Sequence, residues 1–312
     1  MDRSTSASSS SRLSRSRSWW SMTAKETLAG YLFAAPMLLG LTVFILIPMI
    51  SLFFISLTKW NFIQGLSGVE MVGLDNFRHL FQDKTFFVSM FNNLKLLLAV
   101  PVALFLSLVI AIVVDELVYF KGFFKIIYFM PYISSIVAVA IVFQILFHPS
   151  QGPINGFLMS LGIENPPKWL ADPTYALPSI MLIIIWTSIG FNMIVYLAGL
   201  QAIPKDLYEA AEIDGASKWR QFAAITVPML SPTTFFLLIT GVIYSFKTFD
   251  LIAVLTQGGP AKSTNVMVYE IYDQAFVNLK MGYAAAESVF LFAVILLITV
   301  LQFWGQKKWV NY

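Results

Sequence analysis

The chain of 312 residues is 58% hydrophobic and only 12% charged, whereas a soluble domain carries about 25% charged residues. This composition indicates a polytopic membrane protein. The chain has no cysteine and two histidines, which excludes disulfides, thiolate catalysis and cysteine-ligated metal sites. The formal net charge is only +3 and the basic residues are dispersed, a pattern that gives no support to nucleic-acid binding.

The N-terminal segment is rich in serine and arginine and too polar to bury a core. Residues 1–27 are therefore predicted to form a disordered cytoplasmic tail. The apolar run at 28–56 is far longer than the roughly 7–15 apolar residues of a signal peptide, and it predicts an uncleaved first span. Further apolar runs of about the 20 residues that cross a hydrocarbon core predict spans at 91–114, 123–147, 176–200, 233–255 and 284–304.

These six spans predict an all-α, polytopic transmembrane domain over residues 28–312, with both termini on one side of the membrane. If the N-terminus is cytoplasmic, the inner segments hold about twice as many Lys and Arg residues as the outer segments. Short cytoplasmic loops carry such an excess in membrane proteins, so an N-in/C-in topology is predicted. The loop 201–232, between spans four and five, then faces the cytoplasm.

A short helix is predicted within this loop, over about 204–214. Pro204 suits a first helical turn, Asp206 complements the helix dipole, and Gly215 suits the stop. Residues three or four apart share a helix face. The faces expected from this spacing are an apolar one with Leu207, Ala210 and Ala211, and an acidic one with Glu209 and Glu212.

Taken alone, this helix could be an ordinary solvated connector. Its wider sequence, however, resembles the EAA motif of the permeases of ABC importers. The match consists of Glu209-Ala210-Ala211, then Gly215 after three residues, then Ile225-Thr226-Val227-Pro228 after nine, with Val227 where leucine is usual. The motif also lies where that family carries it, between the fourth and fifth of six predicted spans.

Other stretches are similar to the carbohydrate-type branch of these permeases, which includes the maltose-type inner-membrane subunits. The segment 249–264, with Phe249-Asp250-Leu251-Ile252, Leu255-Thr256-Gln257-Gly258-Gly259-Pro260 and Ser263-Thr264, resembles the outer end of the branch's second-last span. Gly73-Leu74-Asp75-Asn76-Phe77 resembles its outer loop after the first span. The resemblance covers residues 28–308.

The resemblance implies a multi-pass permease subunit of the prokaryotic cytoplasmic (inner) membrane, which is no enzyme and carries no cofactor. Its loop would form a coupling helix that docks into a cleft of a cytoplasmic ATPase, where Glu209 would pair with a basic group and Gly215 would make the turn. ATP and Mg would be bound by that ATPase. The residues assigned to ATPase coupling are Glu209, Ala210, Ala211, Asp214, Gly215 and Pro228.

The implied partners are a second homologous permease subunit, two ABC ATPase subunits, an extracytoplasmic solute-binding protein and membrane lipid. A chain with one EAA loop supplies one docking helix, so an ATPase dimer needs two such chains. This chain would form half of the translocation pathway for a small carbohydrate-like, polyol or glycerol-phosphate solute. Closure of the ATPase dimer on ATP would then switch the cavity from inward-facing to outward-facing.

Substrate contacts are predicted in the fifth span, where Gly241, Tyr244, Ser245 and Thr248 recur at i, i+3, i+4 and i+7 and so share one face. Such a stripe is expected to face a bundle interior rather than lipid. Packing of small residues between helices is the alternative explanation. The resemblance adds Trp186 and Ser188 of span four, since the family's sugar pocket lies on these two spans.

Several other polar residues are predicted to be structural. Lys247 and Asp250 are expected to pair at i, i+3 near the outer end of span five. Glu287 is expected to lie just inside the outer end of span six. His79 and His148 are expected to be exposed rather than metal ligands. The segment Gly258–Thr264 superficially resembles a phosphate-binding P-loop but has Ala261 and Thr256 where that motif needs glycine.

Two other classes of membrane protein are alternatives to an ABC permease. A secondary transporter or channel would also be apolar with six spans, but ion-coupled carriers bury charged side chains near the midplane, and no predicted span holds one there. An integral-membrane transferase would need an acidic or histidine cluster at one face. Asp115 and Glu116 are the only candidates, and they are better explained as the end of span two.

Overall fold

The computed structural model describes residues 22–116 and 118–310. The predicted disordered tail falls outside this part of the chain, except for its last residues. Those residues belong to helix α1, Met22–Leu41. The boundary predicted at residue 27 is therefore corrected, because the helix begins before the continuous apolar run does.

The chain divides into two units, Met1–Ser51 and Leu52–Tyr312. In the described part of the first unit, α1 continues through a π-helical turn, Thr42–Leu46, into α2, Ile47–Ser56, which crosses the boundary between the units. The helical stretch Glu26–Ser56 is 31 residues long and has the hydropathy of a membrane span. This is the length that the predicted first span at 28–56 requires.

The second unit is built almost entirely of helices. In chain order they are α3 (Asp75–Leu80), α4 (Lys84–Leu96), α5 (Ala99–Glu116), α6 (Lys121–Ile133), α7 (Ile136–Leu146), α8 (Pro153–Ser160), α9 (Pro173–Gln201), α10 (Lys205–Ile213), α11 (Lys218–Gln221), α12 (Val227–Met229), α13 (Ser231–Phe246), α14 (Asp250–Leu255), α15 (Met267–Tyr272) and α16 (Met281–Gln306). Two short antiparallel strands, β1 (Thr58–Lys59) and β2 (Glu70–Met71), follow α2. Thr58 lies opposite Met71 in this pair.

Five helical stretches in the described chain are long and apolar enough to cross a membrane. Besides the first, they are Lys84–Glu116, Pro173–Gln201, Ser231–Leu255 and Met281–Gln306. Each contains one predicted span. The second stretch begins well before the predicted start at 91, because Asp83 caps α4 and the helix starts at Lys84.

The third predicted span, 123–147, is two helices rather than one. Helices α6 and α7 meet at an angle of 94°, and the two residues between them, Ser134 and Ser135, have extended backbone. Pro131 lies in the last turn of α6, where its missing N–H and its ring weaken helix continuation. Counted as one broken span, the pair brings the number of candidate spans to six.

The fifth predicted span is also interrupted, between α13 and α14. Lys247 ends α13 by donating its backbone N–H to the carbonyls of Ile243 and Tyr244, and Phe249 precedes α14 with non-helical dihedral angles. The predicted pairing of Lys247 with Asp250 is wrong, since no ion pair joins them among the described residues. The i, i+3 geometry that would bring them together requires a continuous helix.

Helix α9 is the centre of the packing. It lies along α5 and α6, and its closest approach to α6 is at Gly190, where a Cβ would overlap the backbone carbonyl of Tyr128. Tyr196 is 1% exposed and packs with buried leucines at the base of α13, Leu230 and Leu237. The side chains of α5, α9 and α13 thus form one continuous apolar core.

The loop 256–266 is fastened to α4. The Asn92 amide donates to the carbonyls of Lys262 and Asn265 at 3.1 and 2.9 Å, and the Met267 N–H donates to Asn93 Oδ1 at 2.7 Å. Asn265 also donates to Ser89 at 2.9 Å. The segment that superficially resembles a P-loop is therefore held by buried side chains of a neighbouring helix, in a structural role.

Candidate functional site

A cavity of about 430 Å³ lies between α5, α9 and α13. Both helix interruptions reach it: Ser134 and Ile136 line it on one side, and Lys247 through Asp250 on the other. Non-helical backbone within a membrane is tolerated where it is buried in protein or lines a cavity. The two breaks are thus placed where their unpaired backbone groups can be satisfied by a polar occupant.

The predicted stripe on α13 faces this cavity. Gly241, Tyr244, Ser245 and Thr248 all line it, and Ser188 of α9 joins them. The alternative explanation by packing also applies in part, since a Cβ at Gly241 would lie 2.8 Å from Val100 Cγ1 on α5. Glycine at this position therefore serves helix contact as well as leaving room in the cavity.

The hydroxyl groups on this stripe differ in their partners. Ser188 Oγ donates to the Ile184 carbonyl at 2.7 Å, and Thr248 Oγ1 to the Tyr244 carbonyl at 3.2 Å. Ser245 Oγ is buried and has no hydrogen-bond partner in the described part of the chain. An unsatisfied buried hydroxyl costs about 1–3 kcal/mol, so Ser245 is the group in the cavity wall that gains most from a polar ligand.

Trp186 is the predicted contact that the structure does not bring to the cavity. It is 44% exposed and contacts Phe143 of α7 edge-on, with ring centroids 5.3 Å apart. Residues two positions apart in an α-helix differ by about 200° around the axis, so Trp186 and Ser188 point to nearly opposite sides of α9. Only Ser188 lines the cavity.

Residues that sequence reasoning missed complete the wall. Tyr132 and Phe191 stack on each other, with centroids 5.0 Å apart and planes at 21°, and both line the cavity with Asn192. The helical spacing of Ser188, Phe191 and Asn192, at i, i+3 and i+4, could have indicated a second stripe on α9. No local signal could have placed Tyr132 there, because the bend after α6 determines its position.

Lys247 and Asp250 are the charged residues of the cavity wall. They are exposed and, although they form no ion pair, they carry opposite charges at the same end of the cavity. Their predicted pairing is wrong, whereas their position near the outer end of span five stays a prediction. The charges of the wall therefore sum to zero.

The helix predicted in the loop 201–232 is α10, Lys205–Ile213, with Pro204 at the N-cap rather than in the first turn. Gly215 has φ +75°, a left-handed conformation that glycine adopts without steric cost. The Ala216 N–H donates to the Ala211 carbonyl at 2.8 Å and the Gly215 N–H to the Glu212 carbonyl at 3.0 Å. This pair of bonds is a Schellman motif, which ends the helix by local geometry.

Helix α10 has no buried residue. Glu209, Ala210 and Asp214 are exposed, Ala211 is half-buried, and Ile213 is 87% exposed. An apolar side chain as exposed as Ile213, beside a carboxylate and two alanines, is typical of a surface that another protein covers. Within this described part of the chain, Glu209 has no ion-pair partner.

An ion pair joins α10 to α11. Lys218 Nζ donates to Glu212 Oε1 at 2.5 Å. This hydrogen bond, reinforced by the attraction between the charges, lowers the pKa of the Glu212 carboxyl and raises the pKa of the Lys218 ammonium. Both groups are exposed, so the pair orients the two helices and contributes little to stability.

A second link joins α10 to the segment that leads into α13. Tyr208 Oη and the buried Thr226 Oγ1 are 2.8 Å apart and hydrogen-bonded. Thr226 ends the π-helical turn Phe222–Thr226, and Pro228, half-buried in α12, follows it directly before α13. The exposed helix is therefore connected by a side-chain bond to the segment that continues into α13.

The remaining polar predictions concern Glu287 and the histidines. Glu287 lies in the second turn of α16, fully buried, and neither carboxylate oxygen has a hydrogen-bond partner. His79 and His148 are exposed, as predicted. In the described ranges no three His, Cys, Asp or Glu side chains come together in a way that could hold a metal ion.

The sequence profile of a family described as "Binding-protein-dependent transport system inner membrane component" matches residues 96–310. The chain belongs to this family. The match includes the cavity, both helix interruptions after α5, and α10 with its cap. The chain is thus a permease component of an ABC importer in the inner membrane, a transport subunit rather than an enzyme.

Curated relatives match almost end to end. A probable ABC transporter permease protein of Pyrococcus horikoshii is 35% identical, over 88% of this permease and 95% of the relative. The sn-glycerol-3-phosphate transport system permease protein UgpA of Agrobacterium fabrum is 36% identical, over 90% and 96%. The probable ABC transporter permease protein YesP of Bacillus subtilis is 33% identical, over 92% and 93%.

Solved structures agree with this assignment. A chain of a bacterial ABC transporter involved in the import of the acidic polysaccharide alginate superposes with a TM-score of 0.80 at 26% identity, covering 92% of this permease and 98% of that chain. The same kind of transporter in complex with an alginate pentasaccharide-bound periplasmic protein gives 0.78 at 28%, covering 91% and 96%. None of these similarities supports a secondary transporter or channel.

Proposed function

We propose that this permease forms half of the translocation pathway of an ATP-driven importer for a carbohydrate-like, polyol or glycerol-phosphate solute. It would cross the membrane six times, N-in/C-in, with the α6–α7 pair as the broken third span. A second homologous permease would supply the other half of the pathway and a second docking helix. Two ABC ATPase subunits would bind ATP and Mg, and an extracytoplasmic binding protein would deliver the solute.

The observation that carries this proposal is the connection between α10 and the cavity. Glu209, Ala210 and Ile213 present an uncovered surface at one end of this connection. At the other end, α13 supplies Tyr244 and Ser245 to the cavity wall. Between them lie the Tyr208–Thr226 hydrogen bond and the short helix α12.

This connection would act as a mechanical coupling. α10 is closed at its C-terminal end by the Schellman motif at Gly215, so it can move as a rigid body when an ATPase that holds it closes on ATP. Glu209 would form a charge-assisted bond with a basic group of the ATPase, while Ala210 and Ala211 allow close approach. Displacement of α10 would pull on α13 and change the access of the cavity.

The wall of the cavity supports a carbohydrate-like solute. The rings of Tyr132, Phe191 and Tyr244 offer apolar faces on which the C–H faces of a sugar ring pack, while Ser245 and Asn192 offer hydrogen-bond partners for hydroxyls. UgpA of Agrobacterium fabrum is named for sn-glycerol-3-phosphate transport, and the solved transporters are described with alginate. These solutes share several hydroxyl groups, which is the feature that the wall matches.

The test begins with gentle extraction of the tagged chain from native membranes and mass spectrometry of the proteins that copurify. We expect a second six-span permease, an ABC ATPase and, under stabilising conditions, a binding protein. The complex is then reconstituted in liposomes, and uptake of radiolabelled saccharides, polyols and glycerol phosphate is measured with ATP inside.

The matched control replaces ATP by a non-hydrolysable analogue. Uptake of one solute class that requires both ATP and the binding protein supports the proposal. Uptake by this chain alone, unchanged on ATP depletion, would overturn it.

A further inference from the structure

A second groove lies away from the cavity, between α4, the first turns of α9 and the loop 256–266, with a volume of about 750 Å³. Two lysines line it, Lys95 of α4 and Lys262 of the loop, and the lining includes no aspartate or glutamate. Neither lysine has an ion-pair partner among the residues that the structure describes. We propose that this groove binds an anionic phospholipid, whose head group the two lysines attract.

The position of Lys95 is the first argument. Lys95 lies in the 33-residue membrane-spanning stretch Lys84–Glu116, eleven residues from its start, or about 16 Å along the helix axis at ~1.5 Å per residue. A lysine at this depth extends its stem toward the interface and needs a partner for its charge. Its one described contact is the ring of Phe91, 4.7 Å from Nζ.

The local charges are the second argument. Lys262 Nζ donates to Thr85 Oγ1 at 3.1 Å, a neutral partner. Asp172, the acidic residue next to the groove in sequence, accepts the Thr174 N–H at 2.7 Å and caps α9. The groove is therefore positive, and basic pockets between membrane helices bind anionic head groups.

The shape of the groove identifies the rest of the ligand. Phe87 and Phe91 of α4 and Leu98, just after its end, lie on either side of Lys95 along the chain, and their side chains are 51%, 59% and 61% exposed. With Leu177 and Met181 of α9 they line the groove and give an apolar track of the kind that an acyl chain follows. A head group with negative charge joined to acyl chains is the chemistry that fits both parts, and in the proposed topology this is a lipid of the outer leaflet.

The experiment uses the assembled importer in nanodiscs that contain equal parts of phosphatidylglycerol and phosphatidylcholine. Native mass spectrometry then counts the phospholipids that stay bound after the disc is removed. We expect the wild type to retain phosphatidylglycerol in preference to phosphatidylcholine, and Lys95→Gln to lower this preference about fivefold, the contribution of one basic residue near an anionic surface. Lys95→Arg should keep it.

The matched control is Lys84→Gln, which removes an exposed lysine of the same helix that does not line the groove. It should leave the preference unchanged. Equal retention of the two lipids by the wild type, or an unchanged preference in Lys95→Gln/Lys262→Gln, would overturn the proposal. The measurement needs no transport activity, so its outcome is independent of the proposed solute and coupling.

A partner permease is the competing occupant of the groove. Because the chain has no cysteine, Leu98→Cys introduces a single reactive group on the apolar track. Efficient photo-cross-linking of this cysteine, labelled with a maleimide that carries a benzophenone, to the second permease would show that protein covers the groove and would overturn the lipid assignment. Absence of that cross-link, with labelling by a membrane-soluble maleimide, supports it.

Discussion

The loop around α10 and the packing around α9 both depend on a glycine, but for different reasons. Gly215 is required by its own backbone, which is left-handed at φ +75° with open space around the position of a Cβ. Gly190 has ordinary helical backbone but lies against the carbonyl of Tyr128 in another helix. One site is determined by neighbours in sequence and the other by neighbours in space.

The two regions should therefore tolerate different amino-acid substitutions. The loop can accept surface substitutions that keep its caps, because α10 has no buried residue. The wall of the cavity cannot accept volume, because α5, α9 and α13 share one close-packed core. Substitutions in the loop should therefore change coupling without changing stability, and substitutions in the wall should change stability first.

The largest effect is expected for Gly215→Pro. Proline cannot adopt φ +75° and has no N–H to donate to the Glu212 carbonyl, so the end of α10 is lost. ATP-driven uptake in proteoliposomes should fall to background while the amount of inserted chain is unchanged. Gly215→Asn, which tolerates left-handed backbone, is the control and should retain most uptake; equal loss in both variants would contradict the geometric explanation.

Glu209→Lys should follow, with at least a tenfold loss of uptake and of solute-stimulated ATPase activity. Placing a like charge opposite a basic group at an interface costs several kcal/mol, and among the residues that the structure describes Glu209 has no ion-pair partner to lose. Glu209→Gln removes the charge without reversing it and should give an intermediate value. Normal stimulation in a correctly inserted Glu209→Lys variant would remove Glu209 from the docking surface.

Gly190→Ala tests the other side of the comparison. A methyl group there overlaps backbone, and overpacking costs about 1–3 kcal/mol. Thermal unfolding in detergent should therefore begin at a lower temperature. Gly122→Ala on α6, where nothing lies within 4 Å of the Cβ position, should leave the Tm unchanged or raise it slightly, since alanine favours helix by about 1 kcal/mol over glycine. Similar shifts in both variants would rule out the close contact as the cause.

Ser245→Ala should separate binding from stability. Removing a buried hydroxyl without a partner relieves a penalty of about 1–3 kcal/mol, so the Tm in the absence of solute should rise. The same change removes a hydrogen-bond partner of the proposed solute, and the KM for uptake should increase. Ser188→Ala, whose hydroxyl bonds to its own helix, is the comparison and should show neither change to the same degree.

The smallest effect is expected at the Glu212–Lys218 pair. The pKa of Glu212 is lowered and that of Lys218 is raised. The contribution of the pair is therefore present above the ordinary carboxyl pKa and lost as pH falls through the lowered value, and it is lost again as pH rises through the raised ammonium pKa. Solute-stimulated ATPase activity of Lys218→Gln should match the wild type at neutral pH, because exposed pairs contribute little; a large loss would make the pair part of the coupling.

Sequence patterns were sufficient for the regions that fold by local rules. Proline at 204, glycine at 215 and the intervening helical spacing predicted α10 to within a residue, because capping and turn chemistry act over a few neighbouring residues. The periodic stripe on α13 predicted a wall that faces inward. The coupling assignment of Glu209, Ala210, Ala211, Asp214, Gly215 and Pro228 and the contact of a solute with the stripe stay predictions that the experiments above address.

Tertiary structure decided the features that depend on distant parts of the chain. Hydropathy predicted continuous spans where α6 meets α7 at 94° and where α13 stops at Lys247, since apolar composition does not record a bend. It could not separate Trp186 from Ser188 or bring Tyr132 beside Phe191. By itself, the sequence determined a polytopic helical permease with a self-capped helix in the loop 201–232, because those properties follow from composition and local geometry. Only packing between helices decided which side chains face the cavity and which face the groove at Lys95.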